Sequence, residues 1–372
     1  MNHDPSRRRL ASALTIGSAS LALGACKKSQ STTSKGRFEP VRWKMATAWP
    51  RDFPGLGEGA NFLAQAITQM SGGRIQVKVY GSGELVPPFE VFDAVSQGTV
   101  QMGHAAAYYW KGKVPEAQFF GAVPFGMNAQ ETNAWLYEGG GLSLWQELYA
   151  PFNLIPLPAG QTGVQMGGWF NREIRSIDDI QGLVMRIPGL GGEVLKRAGG
   201  SPKALPGAEL FTALQTGNID ATEWVGPYND LAFGLHQAAK YYYYPGWHEP
   251  TACLECLVNK QAFDALPEDL QAIVRLATRA TNAQLLDNLT ARNQSALDTL
   301  INKHQVQLRR FPDDVLTEFK RHARAVVAEL GQISPMAQRI YTSYRDFATA
   351  AGRWMITSEQ AYFDARNVSA DT

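Results

Sequence analysis

Arg186 carries the clearest chemistry in this 372-residue chain. It closes the short run Met185-Arg-Ile187, which reads as a strand, and stands directly before Pro188-Gly-Leu-Gly191, which opens a helix. A guanidinium at that junction can take a carboxylate in a bidentate pair, and a helix N-terminus adds favourable potential for an anion. The competing assignment is a surface arginine paired to Asp178 or Asp179. Glu223, in Ala-Thr-Glu-Trp-Val-Gly-Pro227, is an acid in an apolar stretch and needs a cation partner there. Gln165, in Thr-Gly-Val-Gln-Met-Gly-Gly-Trp-Phe-Asn171, is likewise a lone polar side chain among apolar and glycine residues. A Gln oxygen, a Glu carboxylate and a backbone carbonyl are hard donors suited to calcium or sodium. Hydrogen bonds to nearby backbone would satisfy the same two side chains equally well.

Other chemistries lack their parts. Gly55-Leu-Gly57-Glu-Gly-Ala60 nearly fits a dinucleotide fingerprint, but Pro50 and Pro54 interrupt the turn. The next strand ends in Tyr80-Gly81, without the acid that a ribose requires. No GxSxG or Walker motif occurs, and the six histidines show no metal-ligand spacing. Cys253 and Cys256 lie in a strand-like stretch, where positions i and i+3 face opposite ways, so two buried thiols are expected rather than a disulfide or a zinc site. Of the aromatic residues near predicted strand ends (Trp49, Tyr108, Tyr109, Trp110, Trp169, Trp224 and Trp247), most belong to the core and a minority to a cleft.

The elements that must position these groups come from an internal repeat. Residues 89–104 and 208–223 share the pattern Glu, Val/Leu, Phe, x, Ala, Val/Leu, x, x, Gly, x, Val/Ile. This is a short helix with a glycine stop, then a buried strand. Upstream, Met45-Ala-Thr-Ala-Trp49 leads through Pro54-Gly-Leu-Gly57 into a helix, as Met185-Arg-Ile187 leads through Pro188-Gly-Leu-Gly191. Ile75, Val77 and Val79 alternate with Gln76 and Lys78 as a strand does. Each half therefore reads as strand, turn, helix, strand, helix, strand, which predicts two α/β lobes with mostly parallel sheets and a cleft at their strand ends. Beyond residue 250 the pattern becomes helical, with long helices over about 270–303 and 312–330. A last one, over about 337–365, is rich in aromatics and packs on its own domain or embraces a second subunit.

The 35 Lys and Arg nearly cancel 34 Asp and Glu, which removes nucleic acid as a partner because phosphate binding needs concentrated positive charge. Arg7-Arg-Arg9, the apolar run Leu10 to Leu23 and Leu23-Gly-Ala-Cys26 resemble a signal peptide with a lipobox, making Cys26 the expected lipidation site. A twin-arginine signal over Ser6 to Leu10 is the weaker reading. The polar stretch that follows, to about residue 40, suits a flexible tether.

The stretches Ala48-Trp49-Pro50, Phe119-Phe-Gly-Ala-Val-Pro-Phe-Gly126, Val164-Gln-Met-Gly-Gly-Trp-Phe-Asn171, Met185-Arg-Ile-Pro-Gly189, Asp220-Ala-Thr-Glu-Trp-Val-Gly-Pro227 and Tyr244-Pro-Gly-Trp-His-Glu-Pro250 together resemble the extracytoplasmic solute receptors of tripartite ATP-independent periplasmic (TRAP) transporters. The likeness runs from about residue 41 to 360 and is nearest the branch for 2-oxo acids such as pyruvate, and for lactate. It implies a two-lobed, type II-like periplasmic binding protein that closes on its ligand and hands it to a membrane permease. Lobe 1 would hold residues 41–164 and about 251–300; lobe 2 would hold 165–250 and about 301–335. Residues 336–372 would form a C-terminal helix, with a homodimer as its possible product. Arg186 matches the family's carboxylate-binding arginine. Gln165, Glu223 and the Trp224 carbonyl match positions holding a calcium or sodium ion that bridges the ligand. Asn171, Tyr109 and Glu249 follow more loosely, Glu249 as a further metal ligand. Within this resemblance the ligand could instead be a dicarboxylate or an aromatic acid, and the receptor could serve a sensor. An enzyme with Glu223 as base and the metal as Lewis acid lacks the paired acid/base groups it would need.

Overall fold

The structure is a computed structural model that describes residues 39–368. The expected signal peptide, Cys26 and most of the tether lie outside the described residues, as do the last four residues of the 336–372 segment. Eleven strands form two sheets: β1 (Val41–Thr47), β2 (Ile75–Tyr80), β3 (Met102–Ala106), β4 (Leu154–Gln161), β5 (Gly168–Phe170), β6 (Val184–Arg186), β7 (Ser201–Lys203), β8 (Ala221–Thr222), β9 (Tyr241–Tyr244), β10 (Cys253–Asn259) and β11 (Gln307–Arg310). Their orders are β2-β1-β3-β10-β4 and β11-β9-β5-β8-β6-β7.

The repeat has a direct structural counterpart. β1 leads through the Leu56–Met70 helix to β2, then through Val91–Ser96 to β3. β6 leads through Gly189–Arg197 to β7, then through Leu210–Gln215 to β8. In each half the first strand lies in the middle and pairs in parallel with the other two. The matching stop glycines, Gly98 and Gly217, adopt φ of 77° and 73°, a left-handed turn that a side chain would resist. Apolar periodicity explains the packing: Leu63 and Ile67 of the first helix meet Trp43 and Met45 of β1 and Leu270 and Val274 of the long helix in one buried cluster.

One strand in each sheet runs against the expected parallel direction. β10 is antiparallel to both β3 and β4, and β5 is antiparallel to both β8 and β9. Each is the first strand after a direct crossing between sheets, from β4 to β5 and from β9 back to β10. The two crossing segments run side by side. Gln165 N–H donates to the Glu249 carbonyl (3.2 Å), Gly246 N–H to the Gln165 carbonyl (2.9 Å), and Thr162 N–H to the Ala252 carbonyl (3.1 Å). Gly246 lies so near that an added Cβ would sit 2.2 Å from the Gln165 carbonyl oxygen. A third connection, the Glu268–Asn302 helix, packs on β4 and reaches the Pro227–Phe233 helix beside the second sheet. Cys253 and Cys256 of β10 are buried, free and in different core clusters on opposite faces. Tyr242 and Tyr243 of β9 are fully covered, one on each face.

Candidate functional site

Arg186 ends β6 at 2% exposure, which removes the surface assignment with Asp178 or Asp179. Its Nε donates to the Leu205 carbonyl (3.0 Å), and its Nη1 donates to the Glu223 carbonyl (3.2 Å) and to Glu223 Oε1. Glu223 follows β8 at 1% exposure, so the pair is almost completely desolvated. The Trp224 ring lies under the guanidinium, 5.2 Å from Cζ to centroid. Glu223 Oε2 faces His248 Nε2 at 3.3 Å.

The crossing segments bring the remaining polar groups. Gln165 donates through Nε2 to Glu249 Oε2 (2.7 Å) and to Thr162 Oγ1 (3.2 Å), while its Oε1 is a buried acceptor without a protein partner. The Tyr108 hydroxyl makes a longer approach to Glu249 Oε2, 3.5 Å. Candidate ligand atoms of Glu223, His248 and Glu249 all lie within 4.8 Å of one another. Burial first, and the neighbouring Glu223 second, push the Glu249 carboxyl far above the usual carboxylate range. Two carboxyls, an amide oxygen without a partner and an imidazole thus converge where Arg186 is the neighbouring fixed charge. The oxygen donors fit a hard cation such as calcium or sodium.

Trp49, Leu56, Tyr108, Tyr109, Thr162, Gln165, Arg186, Trp224, Val225, Ala252 and Leu254 line a buried cavity of about 10 Å³. That is room for about one water molecule. A roomier groove of about 380 Å³ between the Asp313–Leu330 and Pro335–Met355 helices is open, and its polar lining is basic (Lys320, Arg324 and Arg345), without the carboxyls gathered near Arg186. Burial raises the Tyr109 hydroxyl to about 12, so it remains a neutral donor or acceptor at the cavity wall. The Trp49 indole meets Trp224 edge to face, with centroids 6.2 Å apart. Behind it, His104 accepts from Trp49 Nε1 at Nδ1 (2.7 Å) and contacts the Ala159 carbonyl through Nε2 (3.0 Å). Asp230 supports the Trp224 loop from the other side, accepting from Val225 N–H, Trp169 Nε1 and the Tyr242 hydroxyl.

Of the residues expected from sequence, Arg186, Gln165, Glu223, Trp224, Tyr109 and Glu249 meet around this cavity. Asn171 does not. It is exposed, beyond the far end of β5, where its N–H donates to the Asp220 carbonyl and its Nδ2 makes a 3.5 Å contact to the Leu214 carbonyl. The reason is geometric: Gln165 precedes β5 at the cavity, and the strand carries the chain away from it at about 3.3 Å per residue. His248 and Thr162 are the residues that sequence reasoning missed. The available signal for His248 was its adjacency to Glu249, since spacing among the histidines themselves is uninformative.

Two sheets of matched topology, connected by paired crossing segments that carry a buried ionic site, define a two-lobed solute-binding protein of the periplasmic type. The model of the DctP family, bacterial extracellular solute-binding protein family 7, matches residues 45–332. The chain belongs to this family, the TRAP solute-binding proteins. It is 40% identical to the monocarboxylate 2-oxoacid-binding periplasmic protein of Nostoc sp., over 96% of this chain and 97% of the relative. A TRAP periplasmic solute-binding protein from Pseudoalteromonas atlantica, solved with bound sodium and pyruvate, superposes with a TM-score of 0.85 at 39% identity, covering 88% of this chain and 99% of that one. Its counterpart from Colwellia psychrerythraea, with bound calcium and pyruvate, gives 0.85 at 40% identity, covering 88% and 100%. Among the described residues no helix is long and apolar enough to cross a membrane.

Proposed function

We propose that this chain is the receptor of a TRAP transporter for a small monocarboxylate, a 2-oxo acid such as pyruvate or the 2-hydroxy acid lactate. A bridging calcium or sodium ion completes the site. The observation that carries the reading is the buried meeting of Arg186 with Gln165, Glu223 and Glu249. Arg186 takes the ligand carboxylate. Gln165, Glu223, Glu249 and the Trp224 carbonyl hold the ion, which supplies positive charge to the ligand's oxygens. The likeness to two proteins solved with pyruvate, one with sodium and one with calcium, supports the same assignment. The family and the relatives matched here are solute-binding proteins, which supports reading this chain as binding its acid without transforming it. In this reading the lobes part to admit the acid and close on it by a hinge at the crossing segments. The lobes in this reading are the two sheets with their helices, 41–164 plus about 251–300 and 165–250 plus about 301–335.

The finer assignments have separate supports. Lipid anchoring through Cys26 rests on the lipobox pattern, and the intact mass of protein extracted from membranes tests it. Delivery to a permease follows the family. A homodimer built on the C-terminal helix rests on Trp354, Ile356, Tyr362 and Phe363, which are 65%, 62%, 61% and 46% exposed on one terminal stretch. Light scattering of the full chain against a chain ending at residue 350 checks it.

The first experiment is calorimetric titration of the mature protein with pyruvate, lactate, succinate and benzoate, before and after chelation, with calcium or sodium restored. Ion-dependent binding of pyruvate or lactate, recovered chemically unchanged, is expected. Preference for succinate or benzoate would replace the ligand class, and binding indifferent to both ions would remove the bridging metal.

A further inference from the structure

We infer that Glu255 is a positioning residue for the acid site, acting through the Trp110 indole on the turn that presents Tyr108 and Tyr109 to the cavity. The inference rests on the acid-binding reading above and adds a residue outside the cavity lining. Glu255 lies within β10 at 0% exposure, paired with Ala105 of β3 and Pro158 of β4. Its Oε1 accepts from Trp110 Nε1, and its Oε2 is buried without a protein partner. Trp110 closes the Ala107–Trp110 turn that follows β3, so this bond ties the turn to β10. The Trp110 ring also packs on Phe92 and Tyr109, with centroids 5.6 and 6.1 Å apart. In front, the turn has little room to shift. A Cβ added to Gly121 would lie 2.9 Å from Tyr108 Cδ1, and one added to Gly189 would lie 3.2 Å from Tyr108 Cβ. Gly189 opens the helix that follows Arg186, so the turn touches the half of the molecule that carries the arginine.

The tether works as a neutral acid. Burial raises the Glu255 carboxyl to about 8, against the pull of the Trp110 donor. The groups around it carry no charge: Phe92 of the Val91–Ser96 helix, Tyr149 of the Gly141–Tyr149 helix, and Cys253 and Cys256 on its own strand. Burial lifts the tyrosine and both thiols above their ordinary values, so they stay neutral up to pH 9. His104, next to Ala105 on β3, turns to the opposite face of the sheet. Asp93 with Lys113, and Glu147 with Arg339, are paired at the surface. Once Glu255 ionises, a buried charge without a cation favours states in which the turn loosens and water reaches it. The support it gives the site is therefore lost as pH rises through about 8.

The test is calorimetric titration of the full mature protein with pyruvate, calcium and sodium present, at about pH 7, 8 and 9, with urea denaturation at each pH to confirm folding. Wild-type affinity should fall about 10-fold from the lowest to the highest pH, as loss of one proton midway requires. Glu255→Gln keeps an oxygen for Trp110 and cannot ionise, so it should match the wild type at neutral pH and hold that affinity throughout. Glu255→Leu leaves the indole N–H unpaired and should lose about 10-fold at neutral pH. Where the leucine variant fails to fold, the wild-type and glutamine profiles decide. A level wild-type profile, an alkaline fall that persists in Glu255→Gln, or wild-type affinity in Glu255→Leu overturns the inference and leaves the acid site assigned. Absence of pyruvate binding by the wild type at every pH overturns the site assignment and this inference together.

Discussion

The two halves share one βαβαβ plan and use it for different chemistry. Ala46 pairs with Tyr80 and Gly103, and Arg186 pairs with Lys203 and Thr222, so Ala46 and Arg186 hold equivalent places in their sheets. His104 and Glu223 hold the next matching place, at the end of the repeated helix-strand motif. All four are buried. In the first half the pair is small and neutral: burial lowers His104 to about 4, and its ring fixes the Trp49 indole against the cavity. In the second half the same two places hold an ion pair. A duplicated scaffold thus supplies an apolar wall from one sheet and charge from the other, and side-chain identity at two matched positions makes the difference.

The contrast is broken most strongly at Arg186. Arg186→Ala should reduce affinity for pyruvate or lactate on the order of 100-fold or more, since charge-assisted hydrogen bonds contribute about 1.5–3 kcal/mol each. It should also destabilise the fold by about 3–5 kcal/mol, because Glu223 would remain buried without its cation. Calorimetry and urea denaturation read the two effects separately, and wild-type affinity in the variant would end the carboxylate assignment.

Glu223→Gln comes next. It keeps an oxygen acceptor but removes the charge that draws a cation, so ion-dependent affinity should fall by about 10- to 100-fold. An unchanged response to chelation and ion restoration would exclude Glu223 from the ion's ligands.

His104 sharpens the comparison from the neutral half. Its folded pKa of about 4 lies below the ordinary 6.5, so the unfolded chain binds more protons between those values. The stability it contributes is complete above pH 6.5 and is lost as pH falls through 4, up to about 3 kcal/mol. His104→Gln should flatten this acid slope, seen as a smaller shift in the urea midpoint between pH 7 and 4.5. A slope equal to the wild type would show that His104 does not govern it. Asn171→Ala should do least, changing affinity and stability by no more than about 0.5 kcal/mol, because the side chain is exposed and distant from the cavity. A clear loss of pyruvate affinity there would mean that the site extends beyond the residues gathered around Arg186.

Much of this molecule is written in short-range pattern. Strand alternation at Ile75–Tyr80, the stop glycines Gly98 and Gly217 and the two buried faces of β10 depend on dihedral preference and on periods of two or 3.6 residues, which local sequence expresses directly. Arg186 was readable for the same reason, because a strand-to-helix junction is itself local. Reversal of β5 and β10 and the displacement of Asn171 were not readable, and the meeting of Gln165 with Glu249 across 84 residues was expected from the family resemblance alone, not from local pattern. These depend on how two sheets pack and on which way the crossing segments run between them. The sequence by itself determined the repeated units, the charged residues available and the glycines that permit close approach. Tertiary structure alone decided that His248 faces Glu223 and that Arg186 is buried rather than paired at the surface, because only packing brings distant strand ends into one desolvated site.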